Sequence, residues 1–313
     1  MTTKTELLNN GVVVATKTAA PFYSWDWTPA TSGASSLTYK RYEDGVPVFT
    51  SGALTGTVEA AAAGLVLDGI PNLIQGLSVR KLRTDYAGAP VEAIRISDSV
   101  VQDISFDGGN LLDTTALTTF RNVTGGDVKL NTWYDQTLNG NDATTPLVND
   151  RPDLWGSGGI EYLNSIVTIS RDLTANNMET AISGETIISA FFVVNDAGTR
   201  RALLAGGQTN AEWFGVSTTG SSSDVGASGG VIQVDGVTVN TRGEFKTALN
   251  DLLPHVVSAV GVDITGWTTY NMRYFSDALS MMRRSSERIL ISGAVSDIVR
   301  DQIVANQTAY YKS

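Results

Sequence analysis

Apolar and polar positions alternate with a period of two along most of this chain, and helical spacing is confined to two stretches. Residues 1 to 58 read as short strands: Gly11-Val12-Val13-Val14-Ala15, then Phe22 to Trp27, then Ser36 to Tyr42, then Val46 to Phe49. Within Phe22 to Trp27, Phe22, Ser24 and Asp26 alternate with Tyr23, Trp25 and Trp27, so one face of that strand is wholly aromatic. Turn signals at Asn9-Asn10-Gly11, Pro29, Gly33 and Asp44-Gly45 recur at the spacing of a small β-sandwich. Val58 to Gly64 is a shift to an alanine run, which sets a linker at 59–76 and a second domain at 77–313. That second region is again mostly β, with apolar runs at Thr186 to Val194, His255 to Val262 and Ile289 to Ile291 that suit inner strands of a packed sandwich. A short helix is expected after Asp113, a ready N-cap, with Ala116, Leu117 and Phe120 on one face. A terminal helix is expected from Ser296 to Tyr311, with Val299, Ile303 and Tyr310 on one stripe. Gly215 to Gly230, rich in glycine and serine, reads as a mobile loop.

Composition narrows the chemistry. With 42% hydrophobic residues in 313, the chain has enough apolar material for a sizeable core. Lys and Arg number 22 against 32 Asp and Glu, a formal net charge of −10. Nucleic acid is therefore not an expected partner, because its binding is driven by Lys and Arg displacing counterions. Cysteine is absent and histidine occurs once, which removes disulfides, thiol nucleophiles and zinc sites of the Cys/His kind within one chain. The one histidine, His255, sits in the apolar run Leu252 to Val257 and reads as a core or strand-entry residue rather than a triad base. No apolar stretch follows the charges of Met1 to Glu6, so no secretory leader is expected, and no run reaches the ~20 apolar residues of a membrane span.

Three groups of side chains could carry function. Trp133, Tyr134, Asp135, Asn139 and Asn141 combine an aromatic face with amides and could hold a sugar. The alternative is structural: alternation sends Trp133 into the core, Asp135 caps the next turn, and Asn139-Gly140 supplies positive φ. Asp135, Asn139, Asn141 and Asp142 could instead gather calcium, the one cofactor suggested here, although their spacing is not that of an EF-hand. Glu212 beside Trp213 is an acid with an adjacent aromatic platform. Phe22, Tyr23, Trp25, Trp27, Tyr39 and Tyr42 crowd aromatics into a segment too small to bury them, which marks an interface in a homo-oligomer. Arg80, Lys81 and Arg83 read as a solvated basic strand face.

Leu77 to Pro90, Ile94-Arg95-Ile96-Ser97-Asp98, Gln102 to Phe106, Leu112-Asp113 and Thr132 to Thr144 resemble, in order and spacing, the catalytic-domain family of α-L-arabinofuranosidase B. Ala89 before Pro90 and Thr137-Leu138 depart from the family's pattern. Thr186 to Val194, Val234-Asp235-Gly236-Val237 and Glu287 to Tyr311 resemble the second half of a laminin-G or concanavalin A-like jelly roll. The first 58 residues resemble a bacterial immunoglobulin-like module, and similar lectin-like domains occur in structural proteins of tailed bacteriophages. The resemblance implies an all-β chain: a small immunoglobulin-like sandwich, then a concanavalin A-like jelly roll with an internal and a C-terminal helix. A glycosidase needs two carboxyl groups across the bond. Of Glu161, Glu179, Glu185, Glu212, Asp224 and Asp235, none lies in a recognisable motif, so the expectation is that the chain is not an enzyme. The first reading is a phage virion protein, assembled in a host cytoplasm, serving as a capsid decoration, head fibre or tail-fibre domain. It would form a trimer with other virion proteins as partners, and host-surface glycan would meet its outward domain. The alternative is an arabinofuranosidase-like glycoside hydrolase or a carbohydrate-binding module.

Overall fold

A computed structural model describes residues 3–9, 12–18, 33–50, 54–58, 65–144, 151–156, 159–160, 162–163, 166–167, 169–170, 179–180, 187–195, 201–205, 213–216, 230–249, 251, 253–264, 270–271 and 284–312. The chain divides into two compact units, Met1–Gly64 and Leu65–Ser313.

In the first unit, five antiparallel strands form one sheet. Val12–Lys17, Thr3–Asn9, Gly33–Glu43 and Val46–Thr50 follow in that order, and Leu54–Val58 pairs with the other end of Gly33–Glu43. Asp44 and Gly45, at φ 48° and 84°, make the tight turn before Val46–Thr50, the primed geometry that matches strand twist. The aromatic strand expected at Phe22 to Trp27 lies outside the described residues. Tyr39 and Tyr42 are half-buried within their own unit. Tyr39 lies 5.2 Å from Phe49, centroid to centroid, and Lys4 sits 4.8 Å over the Tyr42 ring. Intrachain contacts thus already cover part of both expected interface tyrosines.

The second unit is a β-sandwich. One antiparallel sheet runs Leu73–Ser78, Arg284–Ser292, Ile188–Asn195, His255–Val262, Val231–Val234 and Val237–Thr238. The other has Val101–Ile104, Val91–Arg95 and Val128–Trp133, with Ala143–Thr144 and Asp153–Gly156 both pairing to the last of these. Short bridging strands such as Ile169–Ser170 continue the hydrogen bonding between the sheets. Alternation does the sorting: Ala190, Phe192, Val194 and Leu290 enter one core cluster. Phe191, Ile289 and Ile291 join Leu67, Leu82 and Ile303 of the C-terminal helix in another. Leu67 is 1% exposed and its N–H donates to Leu82 O at 2.9 Å. Residues 65–76 are thus packed chain of this unit, where a linker at 59–76 was expected.

Both predicted helices form. Thr114–Asn122 is capped by Asp113, whose carboxylate accepts the Ala116 N–H at 2.8 Å, and it buries Leu117 and Phe120. Asp297–Tyr311 is capped by Ser296, but its buried residues are Ile303, Gln307 and Tyr311, with Tyr310 only half-buried. The reason is chemical: the Tyr311 hydroxyl finds Glu287 at 3.0 Å. A third helix, Arg242–Ala248, was not anticipated. Its signature is Thr241-x-x-Glu244, a capping-box pattern in which Thr241 Oγ1 accepts the Glu244 N–H at 3.1 Å.

Candidate functional site

The Trp133 to Asp142 segment is a structural knot. Trp133 is fully buried in the core with Leu77, Val91 and Leu117, so it offers no face to a sugar, and its expected stacking role is corrected. The Asp135 carboxylate is consumed by the chain around it. Oδ1 accepts the N–H groups of Gly76 and Thr137, each at 2.9 Å, Oδ2 accepts Asn141 N–H at 3.1 Å, and the Thr137 hydroxyl lies 2.7 Å from both oxygens. Gln136 accepts the Leu82 N–H at 2.7 Å and donates to Ser78 O and Arg80 O. Asn139 and Asn141 donate their amides to Leu73 O and Ile74 O at 2.6 and 2.7 Å. These bonds fasten 135–142 to strand Leu73–Ser78. Gly76 allows the close contact: a Cβ there would meet Leu67 Cδ1 at 2.6 Å, so a side chain at this position would push the leucine aside.

Asp135, Asn141 and Asp142, the residues of the calcium expectation, are likewise engaged by the chain around them. Both Asp135 oxygens face backbone donors, Asp142 Oδ1 accepts Asp135 N–H at 2.7 Å, and the Asn139 and Asn141 amides point at carbonyls. Among the described residues no group of three or more Asp, Glu or His side chains could hold a metal. Burial, with Asp135 nearby, pushes the Asp142 carboxyl up from its ordinary value.

The sheet of Val101–Ile104, Val91–Arg95 and Val128–Trp133 carries a polar stripe that is half-buried apart from exposed Asp103. The Arg95–Val100 turn, closed by Arg95 N–H to Val100 O at 2.9 Å and by the Arg95–Asp98 ion pair at 2.6 Å, sets a register in which Glu92 stands opposite Asp103. Side chains directly opposed on adjacent strands have Cβ atoms ~4.5–5.5 Å apart, and like charges there are destabilising. The next strand places Thr132 opposite Glu92, and Glu92 Oε1 accepts Thr132 Oγ1 at 3.3 Å and the Asn131 amide. Tyr134 donates its hydroxyl to Asp103 at 2.9 Å. Burial, that bond and the nearby Glu92 push the Tyr134 phenol well above its usual range. Arg151 completes the stripe: its Nε and Nη1 are buried without a hydrogen-bond partner among the described residues. Burial lowers its pKa, opposed by the charge of Glu92. The stripe thus combines carboxylate acceptors, hydroxyl donors and an aromatic ring, part of the set a polyhydroxylated ligand uses, with the Arg151 guanidinium buried beside Glu92. Tyr134 is the one predicted sugar contact that this face contains. Sequence reading passed over Glu92, Asp103 and Arg151, although Gln102-Asp103-Ile104 lay within the motif; only the register discloses the pair.

Glu212 lies outside the described residues. Trp213 begins the strand Trp213–Val216, which pairs with Arg201–Ala205. Arg80 is buried rather than solvated, and its guanidinium reaches Glu287. His255 has both ring nitrogens within 2.7 Å of carboxylates, Asp235 and Asp251, so neither is left to act as a base toward a serine.

No family model matches the chain, and no curated protein matches it. Among solved structures, an arabinofuranosidase complexed with arabinofuranosyl-α-1,2-xylobiose shares its fold, with 16% identity and a TM-score of 0.51, over 76% of this chain and 63% of that one. A GH54 α-L-arabinofuranosidase soaked with a cyclic sulfate inhibitor is similar over the same shares, with 16% identity and a TM-score of 0.46. The chain spans about 63% of the length of these neighbours. The fold is the arabinofuranosidase-like β-sandwich. The expectation that the chain is not an enzyme is corrected by this finding, because a solved structure that shares its fold is an arabinofuranosidase.

Proposed function

We propose that this chain is a carbohydrate-active protein of the arabinofuranosidase type, which meets a furanoside-bearing glycan on the sheet face of Asp103, Glu92, Tyr134 and Arg151. One observation carries the reading: two carboxylates held opposite each other on adjacent strands of a fold used by an arabinofuranosidase. Glycosidases work with two carboxyl groups flanking the scissile bond, and directly opposed strand positions put both side chains on one face with Cβ atoms ~4.5–5.5 Å apart. Glu92, bonded by Asn131 and Thr132, is oriented as the fixed carboxylate. Asp103 is exposed and accepts the Tyr134 hydroxyl, which makes it the member of the pair that a ligand arriving from solvent would meet. The carbohydrate reading stands ahead of a virion role because the fold supports it, whereas the virion reading draws on composition and resemblance.

The test is hydrolysis of 4-nitrophenyl α-L-arabinofuranoside, with calorimetry of arabinosylated xylo-oligosaccharide binding. Turnover should fall at least ~100-fold in Glu92→Gln and in Asp103→Asn with the melting temperature unchanged. Turnover that survives both changes and disappears in Glu212→Gln would move the chemistry to the acid beside Trp213. A wild-type protein that neither binds nor hydrolyses these compounds would sink the carbohydrate reading.

A further inference from the structure

The first residue of the strand His255–Val262 is held between two carboxylates from different parts of the chain. Nδ1 lies 2.7 Å from Asp235 Oδ2 and Nε2 lies 2.7 Å from Asp251 Oδ1. An ionised carboxylate only accepts hydrogen bonds, so both contacts are satisfied at once only when both ring nitrogens carry protons. The geometry is therefore that of an imidazolium. A neutral ring has one N–H, and its other nitrogen would present a lone pair to a carboxylate at the same distance.

The two carboxylates are not held equally. Asp235 sits in the hairpin turn between Val231–Val234 and Val237–Thr238, at φ 52°. Its N–H donates to Val256 O at 2.8 Å, its Oδ1 accepts Val256 N–H at 3.0 Å, and Lys312 Nζ lies 2.8 Å from Oδ2. Asp251 has an exposed side chain, and its other bond is to Leu253 N–H, 2.9 Å away in its own turn. Of the remaining elements around the ring, the Ile188–Asn195 strand presents uncharged Val194 in register, and the end of the C-terminal helix contributes only Lys312, through Asp235.

We propose that His255 is a proton-operated latch on Asp251, in the turn that joins helix Arg242–Ala248 to strand His255–Val262. Protonated, the ring clamps the turn to the sheet. Losing its proton from Nε2, it keeps the Nδ1–H bond to the firmly held Asp235 and releases Asp251. Burial disfavours the charged ring, but the bonds from Asp235 and Asp251 outweigh it and raise its pKa above the ordinary value, so release comes on the alkaline side. The turn is the C-terminal tether of helix Arg242–Ala248, whose Phe245 and the following Leu249 are core residues beside Ile232 and Val257, and which lies against the strand Trp213–Val216. The latch stands independently of the carbohydrate reading.

Because His255 is the only histidine, the ring nitrogens of the full chain labelled with 15N-histidine give unambiguous signals. The expected result is a ring pKa above 6.5 with the Nδ1–H tautomer on deprotonation, and a lower pKa in Asp251→Asn. In parallel, hydrogen exchange at the Leu253 amide should lose protection as pH rises through that titration, while Val256 and Val257 stay protected. In Asp251→Asn the Leu253 amide should exchange fast throughout. A ring that titrates at the free-histidine value and ignores Asp251→Asn would overturn the proposal, as would Leu253 exchange that is flat, after correction for intrinsic rate, across the titration.

Discussion

Arg80 and Glu287, 207 residues apart, meet as a bidentate pair, with Nε donating to Oε2 at 2.7 Å and Nη2 to Oε1 at 3.0 Å. Glu287 is fully buried and takes three further donors: the hydroxyls of Ser78 and Tyr311, each at 3.0 Å, and Gln307 Nε2 at 3.1 Å. The guanidinium lies over Tyr310 at 4.4 Å and Tyr311 at 5.4 Å, and bonds Asn306 at 2.8 Å. The pair locks the C-terminal helix to the sheet through strands Leu73–Ser78 and Arg284–Ser292.

Removing one partner strands the other's charge. Glu287→Ala or Arg80→Ala should each destabilise the second unit by ~3–5 kcal/mol, the usual cost of breaking a buried ion pair. The double change of both residues to Ala should cost much less than the sum. Thermal unfolding of the four proteins forms the cycle, and additive single effects would show that the pair is not coupled.

Asp135 offers a sharper contrast between fold and function. Asp135→Ala leaves the N–H groups of Gly76, Thr137 and Asn141 without their acceptor, and each stranded buried donor costs ~1–3 kcal/mol. The expected outcome is a large fall in unfolding midpoint, with glycan affinity of the still-folded fraction unchanged. A stable Asp135→Ala protein with lost binding would return the segment to the role of a sugar site.

Local signals were legible in the chain and long-range ones were not. Asp113 and Ser296 announced their helices because a cap acts on an N–H three residues away. The Asp235-Gly236 hairpin was equally readable, its two residues at φ 52° and 81°. Asp135 looked like a ligand group because its decisive partner, Gly76 N–H, is 59 residues upstream. Arg80 looked solvated because its acid is on the far side of the chain. The Glu92–Asp103 pair depends on the register fixed by the Arg95–Val100 turn, and a one-residue slip would have turned Asp103 to the other face. Helix Arg242–Ala248 was missed despite its capping box, since seven residues are too few for a hydrophobic period to show.

Gly76 tests the close approach directly. Gly76→Ala should destabilise by ~1–3 kcal/mol, the range for overpacking a filled core. The obstructing atom is the end of a leucine side chain, so Leu67→Val in the same protein should recover part of the loss. Equal unfolding midpoints for Gly76→Ala and wild type would show that the contact has room to spare.

The last prediction is a bell-shaped dependence of stability on pH. Burial works against ionisation of Asp235, but His255 and Lys312 outweigh it and hold its pKa at about 2, below the ordinary 3.8. A depressed folded pKa gives stability that is complete above ~4 and is lost as pH falls toward ~2. The raised pKa of His255 has the opposite sign: its contribution is complete below ~6.5 and is lost as pH rises through the folded value. Denaturant midpoints should therefore be highest between these limbs. Asp235→Asn should flatten the acid limb, and His255→Gln should remove the alkaline limb and weaken the acid one, where Lys312 still holds Asp235. A wild-type profile that is level from pH 6 to 9 would deny His255 its stabilising charge.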